Sequence, residues 1–381
     1  MASKYDILHV TSAHQATDGR IFYKEARTAQ ELGFRVGVVG DHPKAETLHG
    51  VDIIPIRKHP VRLLRRLLGP ISLLRVILRE KAPVVHFHDP EIIPVGFFLQ
   101  LLGYKVVYDV HEYYSIIQAN RVPAGPLRAL ARTLARLLLE TIPCALFHRS
   151  VFPTNKLREA VAPGRKSVSL VNLLPKAMIP DETDTAIKDH DLVFMGTISP
   201  FRAGPLMEMM GIILKERPDA KLLMLGTKAP TVRWMRANAP SQHILDAITF
   251  HPRVPHSEVF SVLSRAKVGF NYHPMEPQFE VAIPMKIYEY MACRLPVVTT
   301  LFPEVGDQFE NGTEIIMHTG TDQAVYAEAV LDLLRHPDKA REIGNAGFDA
   351  LRERVNWDTS EVPKLNTMYS TLLGQALKAS V

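Results

Sequence analysis

Short apolar runs rich in β-branched residues alternate along the chain with longer segments in which apolar residues recur at helical spacing. The runs are typical of strands buried on both faces of a sheet, and segments such as 21–32 and 324–334 are typical of amphipathic helices. The clearest runs lie at 6–10, 36–39, 84–88, 105–109, 191–195, 221–225, 268–271 and 296–299. Strands that alternate with helices in this way predict βαβ units and an α/β fold with parallel sheets.

The predicted strands fall into two clusters, one before about residue 175 and one after about residue 190. The segment between them is polar and contains Pro175 and Pro180, which is typical of an interdomain linker. A length of 381 residues also favours two domains. We therefore expect an N-terminal domain at 1–175, a linker at 176–190 and a C-terminal domain at 191–355.

Composition narrows the class of protein. There are 45 Lys and Arg residues against 40 Asp and Glu residues, and the net charge of +5 is too small to indicate nucleic-acid binding by itself. Two cysteines, Cys144 and Cys293, exclude a disulfide scaffold. No apolar run reaches the roughly 18 residues of a membrane span, and residues 1–6 lead into a strand without the features of a secretory signal. We expect a cytoplasmic protein.

Polar clusters directly follow several of the predicted strands. They lie at 14–20, 86–91, 109–112, 196–202 and 274–289. In open parallel sheets, ligands bind beyond the carboxyl ends of the strands. Each domain is therefore expected to carry part of a binding site at that edge, with the two edges facing each other.

His86 and His88 form the first candidate site. They alternate at a strand end and so share one face of the sheet, a spacing that can bind a metal ion. Asp109, His111 and Glu112 form a second polar cluster one strand later. The alternative is that these histidines only form hydrogen bonds within the wall of a cleft. We predict no metal site, because no clear further ligands follow, and keep a metal-dependent hydrolase as an alternative function.

The segment 195–204 forms the second candidate site, because it joins a strand to a helix through Gly196. Backbone N–H groups and a helix N-terminus at such a junction attract anions, and Arg202 adds a fixed positive charge. The alternative is an ordinary turn, since neither the Walker A pattern nor the dinucleotide-binding glycine pattern occurs in the chain. Both interpretations stay open from this loop alone.

Residues 283–298 form the most specific motif. Pro284 suits the first turn of a helix, and Lys286 and Glu289 lie three residues apart, on neighbouring positions of its surface. The lysine can meet a phosphate or sugar oxygen, and the carboxylate can hold the diol of a ribose by two hydrogen bonds. The alternative is a surface Lys–Glu pair of little energetic consequence.

Residues 284–298 strongly resemble the nucleotide-binding region of family 4 glycosyltransferases, whose pattern is PxKxxEYMAxGxPVV. Further segments resemble that family in the expected order, at 18–26, 88–91, 108–112, 172–175, 250–259 and 356–357. The resemblance implies the GT-B fold, in which two Rossmann-like, doubly wound parallel-sheet domains face a central cleft. It also implies that the first domain binds the acceptor, that the second binds a nucleotide-sugar, and that a final helix at 356–381 crosses back to the first.

The resemblance also implies roles for single residues. Glu289 matches the second Glu of a Glu-x7-Glu motif, which holds the donor ribose, and Gly196 begins the phosphate loop. Arg202 matches a basic residue at the diphosphate, Lys286 a lysine beside the donor phosphates or sugar, and His111 a histidine near the reaction centre. These last three are the predicted catalytic residues. The predicted donor-binding residues are Gly196, Thr197, Arg202, Glu280, Pro284, Lys286 and Glu289. The predicted acceptor-side residues are His14, Asp18, Arg20, His88, Asp89 and Glu112.

Four positions depart from the family pattern. Val281 stands where the first Glu of the motif belongs, and Glu280, one residue earlier, is the candidate substitute. Thr197 replaces an arginine that often follows the glycine, and Ala203 separates Arg202 from Gly204. The fourth change is Arg294, which replaces a common glycine. These changes leave a third interpretation, a nucleotide-sugar-binding protein of weak catalytic activity.

The function that the resemblance implies is a retaining glycosyltransferase of polysaccharide or cell-envelope synthesis. It would move a sugar from a nucleotide-sugar such as a UDP- or GDP-sugar to a hydroxyl of a glycan or lipid-linked acceptor. It would do so without a metal ion or any other cofactor.

Residues 57–81 predict a basic amphipathic helix, broken near Gly69 and Pro70. Its leucines alternate with basic residues, namely Arg57, Lys58, Arg62, Arg65, Arg66, Arg75, Arg79 and Lys81. The same basic pattern recurs at helical spacing at Arg128, Arg132 and Arg136. One interpretation is peripheral contact with the anionic inner face of the cytoplasmic membrane. The alternative is a solvated helix whose leucines face the sheet.

Overall fold

A computed structural model describes residues 3–56, 62–164, 166–181, 187–274 and 276–378, with the side chains of 62–68 excepted. The chain divides into two compact units, one made of Met1–Asn172 with Trp357–Val381 and the other of Leu173–Asn356. We call them unit 1 and unit 2. Of the predicted linker, residues 182–186 lie outside the described part of the chain.

Unit 1 is built on one eight-stranded sheet. Its strands are β1 (Ile7–Gln15), β2 (Val36–Asp41), β3 (Glu46–Leu48), β4 (Val51–Ile56), β5 (Val84–Phe87), β6 (Lys105–Asp109), β7 (Arg149–Phe152) and β8 (Ser167–Ser169). They lie in the order β3-β4-β2-β1-β5-β6-β7-β8, and only β3 and β4 pair antiparallel. The central strands are buried along nearly their whole length, which explains why they are apolar rather than alternating.

Further helices lie between the first and last strands of unit 1. They are α1 (Arg27–Glu31), α2 (Arg62–Glu80), α3 (Ile93–Leu101), α4 (Tyr114–Ala119), α5 (Pro126–Ala135), α6 (Ile142–Leu146) and α7 (Asn155–Val161). Two π-helical stretches, Ile21–Ala26 and Arg136–Thr141, lead into α1 and α6, and a 3₁₀ turn at Pro90–Ile92 leads into α3.

The predicted break near Gly69 and Pro70 is wrong, because α2 continues through Pro70. Proline removes one backbone donor and so weakens a helix locally. Here the turns that follow are fixed by Leu73 and Ile77, which are fully buried. Tertiary burial therefore outweighs the local preference. Residues 57–61 of the predicted basic helix lie outside the described residues.

Unit 2 is built on a six-stranded parallel sheet. Its strands are β9 (His190–Met195), β10 (Leu222–Leu225), β11 (Ile248–His251), β12 (Ala266–Asn271), β13 (Val297–Thr300) and β14 (Ile316–His318), in the order β11-β10-β9-β12-β13-β14. Its helices are α8 (Pro200–Glu216), α9 (Ala229–Asn238), α10 (Gln242–Asp246), α11 (His256–Leu263), α12 (Pro277–Glu280), α13 (Lys286–Ala292), α14 (Pro303–Gly306), α15 (Gln323–Arg335) and α16 (Pro337–Glu353).

Helix α13 packs unusually close to β12. A Cβ on Gly269 would lie 2.6 Å from the ring of Tyr290, so only glycine fits at this point of the strand. This contact sets the distance between the sheet and the helix that begins at Lys286. It therefore places the most specific sequence motif against the carboxyl ends of the central strands.

The last described residues belong to unit 1 and form α17 (Trp357–Ser360) and α18 (Val362–Leu373). The Trp357 indole N–H donates to the Thr28 hydroxyl at 2.9 Å, and the Glu361 carboxylate accepts from the Val171 N–H at 2.9 Å. These buried bonds tie the end of the chain to the first helices and last strands of the unit.

None of the described helices combines the length and the apolar character needed to cross a membrane.

Candidate functional site

Unit 2 carries a cavity of about 420 Å³ at the carboxyl ends of its strands. The wall comes from the ends of β9 and β10, the segment after β11, and the first turns of α11 and α13. The lining residues are Met195, Gly196, Thr197, Leu225, Gly226, Arg253, Val254, His256, Val259, Met285, Lys286 and Glu289. Four of the residues predicted to bind the donor, Gly196, Thr197, Lys286 and Glu289, therefore share one wall.

The loop after β9 is held in place by α13. Tyr290 is fully buried, and its hydroxyl accepts a hydrogen bond from the Met195 N–H at 2.7 Å. Gly196 follows with a φ of 100°, in the left-handed region that favours glycine. A Cβ there would lie 3.7 Å from the Lys286 ammonium nitrogen, which is an ordinary van der Waals distance, so the loop passes directly beside the lysine. One helix thus positions both the loop and the cation.

Lys286 brings a basic side chain to the wall of this cavity. Its ammonium lies 4.2 Å from the centre of the Phe194 ring. Burial, followed by the positive charge of Arg202, lowers the pKa of Lys286 to about 7, and Glu289 opposes the shift. A bound anion would favour the protonated form and so be attracted by it. This arrangement suits a phosphate oxygen.

Arg202 holds the loop after β9 in place by a hydrogen bond. Its Nη2 donates to the Thr197 carbonyl at 2.9 Å, and its Nη1 donates to His273 Nε2 at 2.6 Å. Burial, followed by the charges of Arg202 and Lys286, lowers the pKa of His273 to about 3, so this ring is neutral and can accept. Arg202 therefore contacts the lining residue Thr197 without itself lining the cavity.

Glu289 lies one turn into α13 and is 9% exposed. Its Oε1 is 3.2 Å from His256 Nε2 at the start of α11. Pro284 is partly buried just before α13, and Glu280 is exposed at the end of α12. Neither is among the described residues that line the cavity. The structure therefore brings Glu289 into the cavity and leaves Glu280 outside its lining.

In unit 1, an ionic cluster lies at the carboxyl ends of β1, β5 and β6. The Arg20 guanidinium donates to both oxygens of Asp109, at 3.1 and 3.2 Å, and lies 3.0 Å from Glu25. Burial by itself would raise the pKa of Asp109, but Arg20 and His111 hold it well below its usual range. Burial and the charge of Asp109 raise the pKa of Glu25 well above its usual range. Asp109 is therefore the ionised partner.

Because Asp109 can only accept, it orients a chain of buried hydrogen bonds. His88 Nδ1 donates to Asp109 at 3.1 Å, so His88 Nε2 accepts from His9 Nδ1 at 3.0 Å. His9 Nε2 then accepts from the Tyr369 hydroxyl at 3.1 Å, and that oxygen accepts from His86 Nδ1 at 2.7 Å. Burial lowers the pKa of all three histidines, which are neutral. Tyr369 of α18 thus links His9 of β1 to His86 of β5.

His111 is the partly exposed end of the same cluster. Its Nε2 lies 2.9 Å from the Asp109 carboxylate, and its side chain is 13% exposed. In the neutral ring with its proton on Nε2, facing Asp109, Nδ1 is the acceptor. The ring of His14 lies 5.2 Å away, with a side chain that is 37% exposed. These two histidines are the cluster members that a ligand of unit 1 can reach.

The remaining predicted acceptor-side residues have different positions. Asp18 accepts from the N–H groups of Arg20 and Ile21, at 2.8 and 3.1 Å, and so begins the first helical turn. Asp89 is buried and accepts from the Thr11 hydroxyl and the Ser12 N–H, both at 2.7 Å. Both carboxylates are therefore used in hydrogen bonds that fix the local backbone. Glu112 is exposed beside His111.

Among the described residues, two groups of side chains come close enough to share a metal ion. One comprises His9, Glu25, His86 and His88, and the other His88, Asp109 and His111, with ligand atoms within 4.8 Å of one another. His9 and His88 already bond to each other, and the positive charge of Arg20 faces both carboxylates. Electrostatic repulsion by Arg20 therefore opposes a cation at either place.

Sequence reasoning missed four residues of these sites. His273 directly follows β12, and His256 begins the helix after β11, so the rule that placed other polar clusters at strand ends could have found them. His9 lies within an apolar strand, and Tyr369 lies 360 residues from its partner His9. No local pattern connects these last two.

Comparisons with solved structures identify the fold. The sucrose-phosphate synthase of Thermosynechococcus elongatus is 14% identical, with a TM-score of 0.73 over 97% of this chain and 99% of that chain. A glycosyltransferase from Rickettsia africae is 13% identical, with a TM-score of 0.71 over 98% and 100%. Anabaena HepE, solved in complex with UDP-glucose, is 13% identical, with a TM-score of 0.69 over 97% and 99%. These likenesses define the fold as GT-B, as predicted.

The family follows from the sequence. The pattern of "Glycosyltransferase Family 4" matches residues 19–168, and that of "Glycosyl transferase-like" matches residues 208–360. One match falls in each unit, and together the two matches identify the chain as a group 1 glycosyltransferase. Comparison with curated proteins finds no match.

Proposed function

We propose that the protein transfers a sugar from a nucleoside-diphosphate sugar to a hydroxyl of a glycan or lipid-linked acceptor, without a bound metal ion and with retention at the anomeric carbon. Family membership supports sugar transfer. The observation that carries the donor assignment is the cavity of unit 2, where Lys286 lies beside Gly196 and Glu289 lies one turn further along α13. A cation at a glycine loop suits a diphosphate, and the carboxylate suits a ribose diol.

The chemistry proposed for this cavity is electrostatic. As the sugar–phosphate bond breaks, negative charge develops on the departing diphosphate. Lys286 would meet that charge directly, and Arg202 would hold the Thr197 carbonyl in place and add a second positive charge. Loss of one preorganised donor of this kind costs about 2.7–4 kcal/mol, or roughly 100- to 1000-fold in rate.

Retention is proposed through attack by the acceptor hydroxyl on the face that the diphosphate leaves. A double displacement would need a nucleophilic carboxylate paired with an acid. Of the described residues that line the cavity, Glu289 alone carries a carboxylate, and it pairs with His256. The cavity therefore favours a direct route.

Unit 1 is proposed as the acceptor side, with His111 as its catalytic residue. Its Nδ1 is the acceptor that the bond to Asp109 leaves, and its side chain remains partly exposed. His14 would contact the acceptor beside it. Arg20 and His88, by contrast, are proposed to orient Asp109 and not to touch the acceptor, because both are buried.

The test is thermal unfolding with UDP, GDP, ADP or TDP, each with and without chelator. A ligand at 100 times its Kd adds about 2.7 kcal/mol to the unit that binds it, so the melting temperature should rise by several degrees. UDP comes first, because the HepE structure holds UDP-glucose. Stabilisation by one diphosphate, independent of chelator, is expected. No response to any nucleotide, with destabilisation by chelator, would favour the hydrolase that uses His86 and His88.

One observation favours a second candidate, a nucleotide-sugar-binding protein of weak activity. Val281 stands at the place of the first Glu of the motif, and Glu280 does not line the cavity. Turnover with a panel of acceptors separates the two. Nucleotide-sugar binding without turnover would support the binding protein, and measurable turnover that Glu280→Gln leaves unchanged would support the enzyme.

A further inference from the structure

Exposed large apolar side chains are concentrated in one part of unit 1. Among the described residues, nine of the sixteen such side chains lie between residues 98 and 146. We call them the leucine face: Phe98, Leu101, Leu102, Leu127, Leu130, Leu134, Leu137, Leu138 and Leu146. Scattered exposed leucines are ordinary, but a contiguous set marks an interaction surface.

The leucine face is contiguous for two reasons. Helix α5, the π-helical stretch Arg136–Thr141 and α6 follow one another without a break, and their leucines recur every three or four residues. Leu127 is 71% exposed and Leu130 is 54% exposed, whereas Ala135 and Glu140 of the same segment are buried. The Gln100 side chain donates to the Leu146 carbonyl at 3.1 Å, so the end of α3 joins this surface.

The charge of this segment is almost entirely positive. Residues 121–146 contain four arginines, Arg121, Arg128, Arg132 and Arg136. The acidic residue of this segment is Glu140. It is fully buried and accepts a hydrogen bond from the Ser115 N–H at 2.8 Å. The outward charge is therefore basic and complements an anionic surface.

We propose that the leucine face docks on the surface of a bilayer that contains anionic lipid. The leucines enter the boundary of the acyl chains, and the arginines remain at the level of the headgroups. This surface differs from the one predicted at 57–81. There, among the side chains described from Gly69 onward, Leu73 and Ile77 point into the core.

Docking would bring the acceptor side to the membrane. Helix α4 follows His111 after two residues, and its Ser115 bonds to Glu140 of the docked segment. A lipid-linked acceptor would then meet unit 1 at the bilayer surface. This consequence rests on the proposed function, whereas the docking itself does not.

The experiment is co-sedimentation with vesicles of phosphatidylcholine alone or with about 30% phosphatidylglycerol, at low and high salt. The wild-type protein should bind the anionic vesicles, and more tightly at low salt. A variant with Leu130→Gln and Leu134→Gln should bind at least about tenfold less tightly, because two apolar side chains are lost from the boundary. Ile187→Gln, at a residue of unit 2 that is 87% exposed, is the matched control and should bind like wild type.

Two further variants test the role of the arginines and the position of the docking surface. Arg132→Gln with Arg136→Gln should weaken binding at low salt and reduce its salt dependence. Arg75→Gln with Arg79→Gln, on α2, should bind like wild type. Circular dichroism shows whether each variant is folded, and turnover on a soluble acceptor tests the proposed function separately.

Three outcomes would overturn the proposal. The first is a leucine variant that binds anionic vesicles like wild type. The second is loss of binding only in the α2 variant. The third is an oligomer in size-exclusion chromatography that the leucine variant abolishes without any change in vesicle binding, which would assign this face to a second copy of the chain.

Discussion

The polar clusters of the two units lie at equivalent edges of their sheets but differ in how their charges are used. In unit 1, Asp109 is fully buried and its charge is met by Arg20 within the same unit. In unit 2, Lys286 lines an open cavity, and its pKa is lowered to about 7 by burial and a like charge. The charges of the first cluster are paired within the fold, and we propose that the second cluster binds an external anion.

Because of this difference, substitutions in the two clusters should affect different properties, namely folding stability in unit 1 and ligand binding in unit 2. A change in the cluster of unit 1 removes a partner from groups that stay buried, which destabilises the folded state. A change in the cavity of unit 2 removes a group that we propose to contact the ligand. Variants of the two clusters should therefore have opposite signatures in unfolding and in binding.

The largest effect is expected for Asp109→Asn. Removal of this charge leaves Arg20 buried without its main counter-charge, and loss of one partner of a buried pair costs about 3–5 kcal/mol. Since the pKa of Asp109 is held well below its usual range, this stability is present above about pH 4 and is lost as the pH falls further. Denaturant unfolding measures it, with Asp338→Asn, on an exposed pair, as control. A loss below about 1 kcal/mol would contradict the buried-pair argument.

Lys286→Ala should have nearly as large an effect, but on catalysis. The value of kcat/KM should fall roughly 100- to 1000-fold, because one cation at the departing diphosphate is lost. The melting temperature should hold within a degree or two of wild type, since a partly buried lysine without a carboxylate bond contributes little to folding. Lys286→Arg keeps the charge and should retain part of the activity. Equal losses in both variants would argue against a role for the charge.

Tyr369→Phe tests how far the chain of hydrogen bonds supports unit 1. The hydroxyl bonds to both His9 and His86, and its loss leaves two buried nitrogens without that partner. The free energy of unfolding should fall by about 1–3 kcal/mol, while nucleotide affinity stays unchanged. The exposed Tyr23→Phe serves as control. If Tyr369→Phe weakened nucleotide binding without destabilising the protein, the separation of the two clusters would be wrong.

The smallest expected effect is the pH dependence of donor binding. Since the pKa of Lys286 is lowered to about 7, the lysine is protonated below pH 7 and loses its charge above it. Affinity for a nucleotide-sugar should therefore fall above pH 7, by up to about tenfold per pH unit. Calorimetric titration between pH 6 and 9 measures the slope. Lys286→Arg should abolish it, and an unchanged slope in that variant would assign the titration to another group.

Much of the fold could be predicted from pattern. All eight predicted strands occur in the structure, because strands buried on both faces must be apolar throughout. The strands without a prediction are β3, β4, β7, β8, β11 and β14, which are short or partly polar. A run of three or four residues such as β8 carries too few positions to show a period.

The candidate site of unit 2 was predictable where its residues are close in sequence. Lys286 and Glu289 share one helix, so their spacing predicts that they are neighbours. Arg202 was found, but its partner His273 was not, because the two are joined only when β9 and β12 pair in the sheet. Glu280 was chosen by its distance from Glu289 in sequence, which does not show whether a side chain reaches a cavity.

Sequence by itself determined the alternation of strands and helices, the family, and the local motif at the start of α13, because each depends on residues within a few turns of one another. Tertiary structure alone decided which charges are paired and which are left for a ligand. The burial of Asp109 against Arg20, the bond from Tyr369 to His9, and the exposure of the leucine face all depend on segments far apart in the chain. Their energies arise from desolvation, which exists only once those segments have packed.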